Sequence, residues 1–396
     1  MTTISNLEAH GIPVEAGGKL VKTTTVVQNI DQLRSLFDHG FDEAGREAHY
    51  QALFGGISNP EGASAAQRIA AHVIGNGELS DEDKAHVAGA FPMTVNVIAS
   101  PKTAGTLTVT APYSLSSTTG PMIVTFTDVV LEEGGYFVCE GTLLSFTCTN
   151  LTRNGGTGNT SFADFNILGI TPDTPAPKGP NTSDPGQATN GTNGDCSSAG
   201  VADRGGSNGS PGSQGATGSP GTPGSPGIAS QPATITITGS LNSAITIFSQ
   251  SGGGGNGGDG GQGGTGQKGG NGGNGATCDC TGSGAGNGGS GGTGGTGGNG
   301  GNGGNATTAA GNIAVYVHNA DQANLVSYTA GAATIPGTGG APGGPGAVGT
   351  GGDKGSGGKH NGDGSAGGAG NQGSSGTHGH NGSGSGQPAG FSVGIK

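Results

Sequence analysis

Cysteine is the residue type in this chain whose chemistry can be argued most directly. Cys196 lies in one short irregular stretch, and Cys278 and Cys280 lie together in a later one. Their Cys-Asp-Cys spacing is too tight for a CxxC zinc knuckle, and the total of five cysteines is odd. We expect a disulfide between Cys196 and either Cys278 or Cys280, because exposed thiols are reactive. The alternative is that all three are free thiols in solvent-facing loops. Cys139 and Cys148 have the sequence context of small buried hydrophobes.

The other reactive side chains form no catalytic pattern. His378 and His380 are one residue apart, which suits metal chelation, but outward histidines on an extended segment are usually solvated. The chain has no GxSxG in a strand-to-helix setting, no Walker loop and no HExxH. The GxGxxG matches are expected by chance in a chain with 93 glycines. The sequence therefore predicts a protein that is not an enzyme and has neither cofactor nor metal.

Glycine recurs at every third position over five stretches of the chain. These are 206–227, 254–275, 288–303, 337–358 and 364–382. A period of three is the period of polyproline II, a helix without internal hydrogen bonds. Its backbone donors need partners outside the helix, and faces without Cβ atoms let neighbouring backbones supply them. The repeat therefore predicts packed polyglycine II helices. A disordered low-complexity tail is the alternative reading, and the prolines of 206–227 also resemble collagen.

Charge and hydropathy exclude several classes of partner. The formal net charge is −12 with no basic block, so the sequence predicts no nucleic-acid binding. The chain contains no run of eighteen apolar residues, so the sequence predicts no membrane insertion. The first residues contain no recognisable secretion signal, which fits a virion component made in the host cytoplasm; an extracellular or cell-surface location is the alternative.

Three regions follow from the changes of period along the chain. Residues 1–92 read as a small helical docking segment, with one helix near 31–37, one that contains Tyr50 and Phe54 and stops at Gly55, one at about 63–74 and one at 81–90. Residues 93–170 read as a β domain, a sandwich or a solenoid-like platform. Residues 171–396 read as a polyglycine II bundle with interleaved strands at 234–249, 312–329 and 391–395. The predicted fold class is mainly β with a polyglycine II bundle.

The strand spacing places two extended arms between successive strand pairs, which predicts three hairpins with six arms. Arms of about 20 residues at about 3.1 Å per residue give a rod about 60–70 Å long. The Gly-Gly-X arms of the middle hairpin have two faces without side chains, so we expect them inside the bundle. The predicted bundle-core glycines are Gly257, Gly260, Gly263, Gly291, Gly294 and Gly297.

The irregular stretches 195–205, 276–286 and 359–363 are the predicted hairpin tips. Exposed loops on a rigid scaffold commonly carry recognition residues. The predicted receptor-contact residues are Asp195, Cys196, Ser197, Thr277, Asp279, Lys359, His360, Asn361 and Asp363.

The triplets at 269–274 and 297–302, both of the form Gly-Gly-Asn, resemble those of the glycine-rich distal adhesins of T-even-like phage tail fibres. The resemblance covers the repeat region only. It implies a non-enzymatic fibre, spike or adhesin subunit whose tips bind a host surface receptor. Its partners would be further copies of itself, as a trimer or filament, and other virion proteins through residues 1–170. The alternative function is a self-assembling extracellular filament or bacterial surface-matrix protein.

Overall fold

A computed structural model defines the fold. It describes residues 7–9, 11–12, 14, 20–38, 40–55, 65–100, 105–117, 119–155, 163–307, 310–387 and 389–396. The predicted helix start at Ala63 lies outside these residues.

Helices occupy much of the N-terminal region where the sequence predicted them. They are α1 (Ile30–Leu36), α2 (Glu43–Phe54), α3 (Ala65–Ile74) and α4 (Asp81–Ala88), with a short α5 (Ala320–Ala323) much later. Ser80 and Asp83 cap α4 reciprocally, the side chain of each accepting from the backbone nitrogen of the other. A strand that the sequence analysis missed, β1 (Val21–Val27), precedes α1.

The largest sheet is mixed and mostly parallel. Its eight strands are β1, β2 (Met93–Ala99), β3 (Thr106–Val109), β5 (Met122–Leu131), β7 (Leu144–Arg153), β11 (Ala233–Ile237), β13 (Ile313–Val317) and β15 (Phe391–Ile395). Among the described residues of this sheet, only β1 and β2 pair antiparallel. Strands β2 and β3 both pair with β5, and the order then runs through β7, β11 and β13 to β15. We call this sheet A.

A second sheet, sheet B, is entirely parallel. It contains β4 (Pro112–Ser114), β6 (Tyr136–Glu140), β8 (Phe165–Leu168), β12 (Ile245–Gln250) and β14 (Val326–Ala330). From β3 onward these strands alternate along the chain with those of sheet A, so each turn of the chain adds one strand to each sheet. Between β8 and β11 the chain also forms a two-stranded ribbon, β9 (Asp195–Cys196) and β10 (Ala202–Arg204).

Sheet A is covered on both faces. One hydrophobic cluster contains residues of both sheets, including Phe126, Phe137, Phe146 and Phe165. On the other face, a second cluster joins the helices to residues of sheet A such as Ile123 and Ala314. The order of layers is therefore sheet B, sheet A and helices. Burial on both faces is characteristic of parallel sheets.

The predicted fold class, a mainly β protein with a sandwich and a polyglycine II bundle, is wrong. The chain is an α/β protein with a large mixed, mostly parallel sheet and few helices. Turn residues mark where strands end, but they do not reveal pairing direction. From β3 onward the chain passes through one strand of sheet B between successive strands of sheet A, so these strands of sheet A run parallel, unlike the antiparallel strands of a sandwich.

Six glycine-rich arms extend from this body in three hairpins. Arms 1 (171–194) and 2 (206–227) lie between β8 and β11, arms 3 (252–275) and 4 (283–306) between β12 and β13, and arms 5 (335–358) and 6 (364–386) between β14 and β15. They form two layers. Arms 1, 3 and 5 make one layer, and arms 2, 4 and 6 make the other.

Backbone hydrogen bonds join the arms at every third residue. Within a layer, Gly257 N donates to Thr338 O and Gly260 N to Ala341 O, both at 2.9 Å. Between layers, Gly298 N donates to Gly261 O at 2.8 Å. Arms 3 and 4 each bond to four other arms, which puts the middle hairpin inside, as the Gly-Gly-X pattern predicted.

Glycine is required in these arms because the backbones lie so close together. A Cβ atom on Gly260 would lie 2.0 Å from Gly298 O, and one on Gly257 would lie 2.1 Å from Gly301 O. No side chain can be accommodated at these positions without moving a neighbouring arm. Of the predicted core glycines, Gly257, Gly260, Gly263, Gly294 and Gly297 are buried and Gly291 is half-buried.

Candidate recognition surface at the hairpin tips

The tips of the first and second hairpins are covalently joined. Cys196 and Cys278 form a disulfide, with their Cα atoms 5.7 Å apart. Cys278 is buried, whereas the third cysteine of this region, Cys280, is an exposed thiol. The backbone also links the two tips, because Cys280 N donates to Gly200 O at 3.0 Å.

Hydrogen bonds bring the third tip to the second. Lys359 Nζ donates to Asp279 O at 2.9 Å, and Gly358 N donates to Ser283 O at 2.9 Å. Arm 4 already begins at Ser283, so the second tip is shorter than the predicted 276–286. The three tips, which are far apart in the sequence, therefore lie together at one end of the arms.

Ion pairs and turn geometry fix the charged side chains of this surface. Arg204 pairs with Asp195 across the β9–β10 ribbon. Lys354 Nζ lies 2.9 Å from Asp363 Oδ2 in the third hairpin. The pKa of Asp363 is lowered, mainly by the hydrogen bond from Gly357 N and to a smaller extent by the contact with Lys354. His360 has a φ of 66°, which is uncommon outside glycine and marks the tight turn at this tip.

The structure brings the predicted contact residues together. Eight of the nine are exposed: Asp195, Cys196, Thr277, Asp279, Lys359, His360, Asn361 and Asp363. Ser197 is half-buried, and its hydroxyl donates to Val201 O at 3.1 Å. We call the exposed residues of 195–204, 276–282 and 359–363 the tip surface.

Sequence reasoning missed several residues that shape this surface. Thr281 Oγ1 accepts from Ala202 N at 2.8 Å, and Arg204 and Lys354 hold the carboxylates of Asp195 and Asp363. Nothing in the sequence marks Thr281. In each charged pair, however, the two residues are nine positions apart in the sequence, at or near the two ends of one predicted tip. That spacing was the available signal.

A buried polar cluster under the helices is the clearest alternative site. His49 Nδ1 lies 2.6 Å from Tyr316 Oη, and Thr234 Oγ1 lies 3.3 Å from His49 Nε2. Burial, with a smaller contribution from Lys396, lowers the pKa of His49 to about 4. The imidazole is therefore neutral at physiological pH and bonded on both nitrogens, packed against Phe41 and Tyr316. This is the arrangement of a core histidine, since its side chain is fully buried.

A cleft of about 610 Å³ lies between the helices and one end of sheet A. Leu33, Val73, Val87 and Phe91 contribute to its apolar wall, and its described lining contains no aspartate, glutamate, lysine or arginine. Such a lining offers no general acid or base other than His86. Among the described residues, no cluster of histidine, cysteine and carboxylate side chains has the composition to hold a metal ion. The helices of the described part are also too short or too polar to cross a bilayer.

Comparison with known proteins gives little further information. No protein-family model matches this chain. No curated protein matches it either. Among solved structures, the chain is 27% identical to a springtail antifreeze protein from Granisotoma rainieri, described as a nine polyproline type II helical bundle. That match covers 41% of this chain and 93% of the other, with a TM-score of 0.06. A TM-score this low carries no argument about fold or function.

Proposed function

We propose that this chain is a non-enzymatic recognition protein, a fibre, spike or adhesin subunit of a virion, whose tip surface binds a receptor on a cell surface. One observation carries the proposal. Three tips separated by long glycine-rich arms meet in one exposed surface, and Cys196–Cys278 and Lys359–Asp279 tie them together.

The arms support this role because they are rigid. Each interior arm is hydrogen-bonded to four neighbours, so the tips are held at a fixed distance from the body. A preorganised surface loses less conformational entropy on binding than flexible loops do. The location in a virion rests on the resemblance of the repeats alone.

The tip surface has the chemistry to bind a polar partner. Its exposed side chains are mostly polar: carboxylates, hydroxyls, the amine of Lys359, the guanidinium of Arg204, an imidazole and an amide, beside the thiol of Cys280 and the apolar side chain of Val201, so it carries both signs of charge. Such a surface suits a polar receptor, glycan or protein, better than an apolar one. The chain's net charge of −12 makes anionic surfaces without specific contacts poor partners.

Adsorption of the purified, labelled full-length protein to a panel of bacterial cells tests this function. One variant combines Lys359→Ala, His360→Ala and Asn361→Ala at the third tip. Its matched control combines Ser374→Ala, Thr377→Ala and His380→Ala, which are exposed residues midway along arm 6. We expect adsorption to be lost in the tip variant and retained in the control. Adsorption that survives the tip changes would refute receptor contact there.

A further inference from the structure

The body is open at its C-terminal end. Every residue of β13 is buried, whereas the next strand of sheet A, β15, is half-buried from Phe391 to Gly394 and exposed at Ile395. Within the described residues, β15 pairs with β13 alone and β14 pairs with β12 alone. Both sheets therefore end in an unpaired edge at the same end of the molecule, which we call the open end.

The hydrogen-bond register shows which groups the edge of β15 presents. Gly390 O accepts from Ile313 N at 2.8 Å, and Lys396 N donates to Val317 O at 2.9 Å. Because successive residues of a strand in a parallel ladder bond to alternate sides, the even-numbered residues of β15 face β13. The backbone N–H and C=O groups of Phe391, Val393 and Ile395 consequently point out of the sheet.

The same three residues carry the apolar side chains of the strand. Strand alternation puts Phe391, Val393 and Ile395 on one face, and the first two pack against the core between the sheets. The ring of Phe391 stacks on Tyr328 of β14, with centroids 4.7 Å apart. The core therefore reaches the open end and is only partly covered there.

We propose that the open end is a dimer interface at which a second copy of this chain docks about a twofold axis. The axis passes beside Val393 and lies along the sheet normal, so β15 pairs antiparallel with β15 of the partner. Val393 then faces its own copy and Phe391 faces Ile395 of the partner subunit. Each of the three residue pairs exchanges two backbone hydrogen bonds, and each also places two apolar side chains opposite one another.

A second copy fits this end better than a single peptide strand. Two edges and the core between them are open, and the same twofold axis that joins the β15 strands also sets β14 against β14 of the partner. Neither β14 nor β15 contains a charged residue, so like charges do not oppose self-association. The opposite edge, β1, carries Lys22, which is a common protection against edge pairing. An isologous interface of this kind closes at two subunits and forms no filament.

Light scattering of the full-length protein during size-exclusion chromatography tests the interface, which does not depend on the proposed receptor binding. We expect the wild type at twice the 37.5 kDa of one chain. Val393→Pro removes an outward donor without removing a bond to β13, and Val393→Lys adds a charge at the axis. Both variants are expected at 37.5 kDa. The control Val26→Lys, at an exposed position of β1, should remain a dimer.

Disulfide trapping gives a second readout, which detects the dimer directly and does not depend on a variant that dissociates into monomers. In a Cys280→Ser background, Val393→Cys is expected to form a cross-linked dimer on mild oxidation, and Val26→Cys is not. The proposal is overturned if the wild type is a monomer, a trimer or a filament. It is equally overturned if folded Val393→Pro and Val393→Lys stay dimeric, or if a dimeric sample of Val393→Cys does not cross-link.

Discussion

The side-chain oxygen of Asn299 accepts a hydrogen bond from the backbone nitrogen of Thr377, 3.0 Å away and 78 residues later in the chain. Asn302 does the same for His380, and Asn256, Asn271 and Asn274 do so between arms 3 and 5. The recurring Gly-Gly-Asn triplets thus have a physical explanation. Glycine allows the close approach of backbones, and the asparagine oxygen accepts from a backbone nitrogen of the neighbouring arm.

Removing these acceptors should weaken the arms. We expect the double substitution Asn299→Ala and Asn302→Ala to lower the free energy of unfolding by about 1–2 kcal/mol, since each hydrogen bond contributes about 1 kcal/mol at most when exposed. Thr296→Ala, one triplet earlier on arm 4, is the control and should change little. Urea unfolding measures both. An unaffected double variant would show that water replaces the asparagine oxygen without loss.

Close packing of backbones predicts a sharp difference between glycines. Gly260→Ala should destabilise the protein by about 1–3 kcal/mol or more, because its Cβ would lie 2.0 Å from Gly298 O and the arms must separate. Gly344→Ala is the matched control on arm 5, since nothing lies within 4 Å of its Cβ. That change should be neutral or stabilising by up to about 1 kcal/mol. Equal melting temperatures for the two variants would contradict the packing.

The Cys196–Cys278 disulfide should contribute substantially to stability. It closes a loop with a sequence separation of 82 residues, for which chain entropy gives an upper estimate of about 4–5 kcal/mol. We expect the double variant Cys196→Ser and Cys278→Ser to lose a large part of this stabilisation and to have more mobile tips. Cys280→Ser should have little effect. Thiol labelling of the denatured, unreduced protein should find three free thiols, Cys139, Cys148 and Cys280; five would exclude the bond.

The buried imidazole of His49 predicts a loss of stability in acid. The pKa is about 4 in the folded protein and 6.5 when unperturbed, so the unfolded state binds the proton more tightly. The contribution of neutral His49 to the free energy of unfolding is fully present above pH 6.5. It declines as the pH falls from 6.5 to about 4, by up to about 3 kcal/mol. His49→Gln should flatten this part of the stability profile, whereas His378→Gln, at an exposed position, should not. The same slope in both variants would assign the effect to other groups.

Sequence periodicity located most of the elements but not their arrangement. The strand 391–395 was predicted to the residue, because alternating apolar residues after a glycine-rich stretch leave few alternatives. The parallel pairing could not be predicted, since it follows from how the chain alternates between two sheets. β1 was missed because its threonines, Thr23, Thr24 and Thr25, offered no apolar alternation.

The tip surface was predicted better than the body. Even spacing of the arms places all three tips at one end, and the cysteines of the sequence mark two of them. The choice of Cys278 over Cys280 as the partner of Cys196 was open, because two residues of a tight loop can face opposite ways. The contact of Lys359 with Asp279 O also could not be predicted, since it depends on where two loops meet in space.

Native-state amide exchange of arms 3 and 4 tests most directly whether the glycine-rich arms are ordered and mutually bonded. Gly258, Gly261, Gly298 and Gly301 donate to neighbouring arms and are buried, so their amides should exchange far more slowly than that of Asn361, which is exposed and donates to Gly358 O within the turn of the third tip. Exchange throughout 252–306 at the rate of free chain would contradict the account.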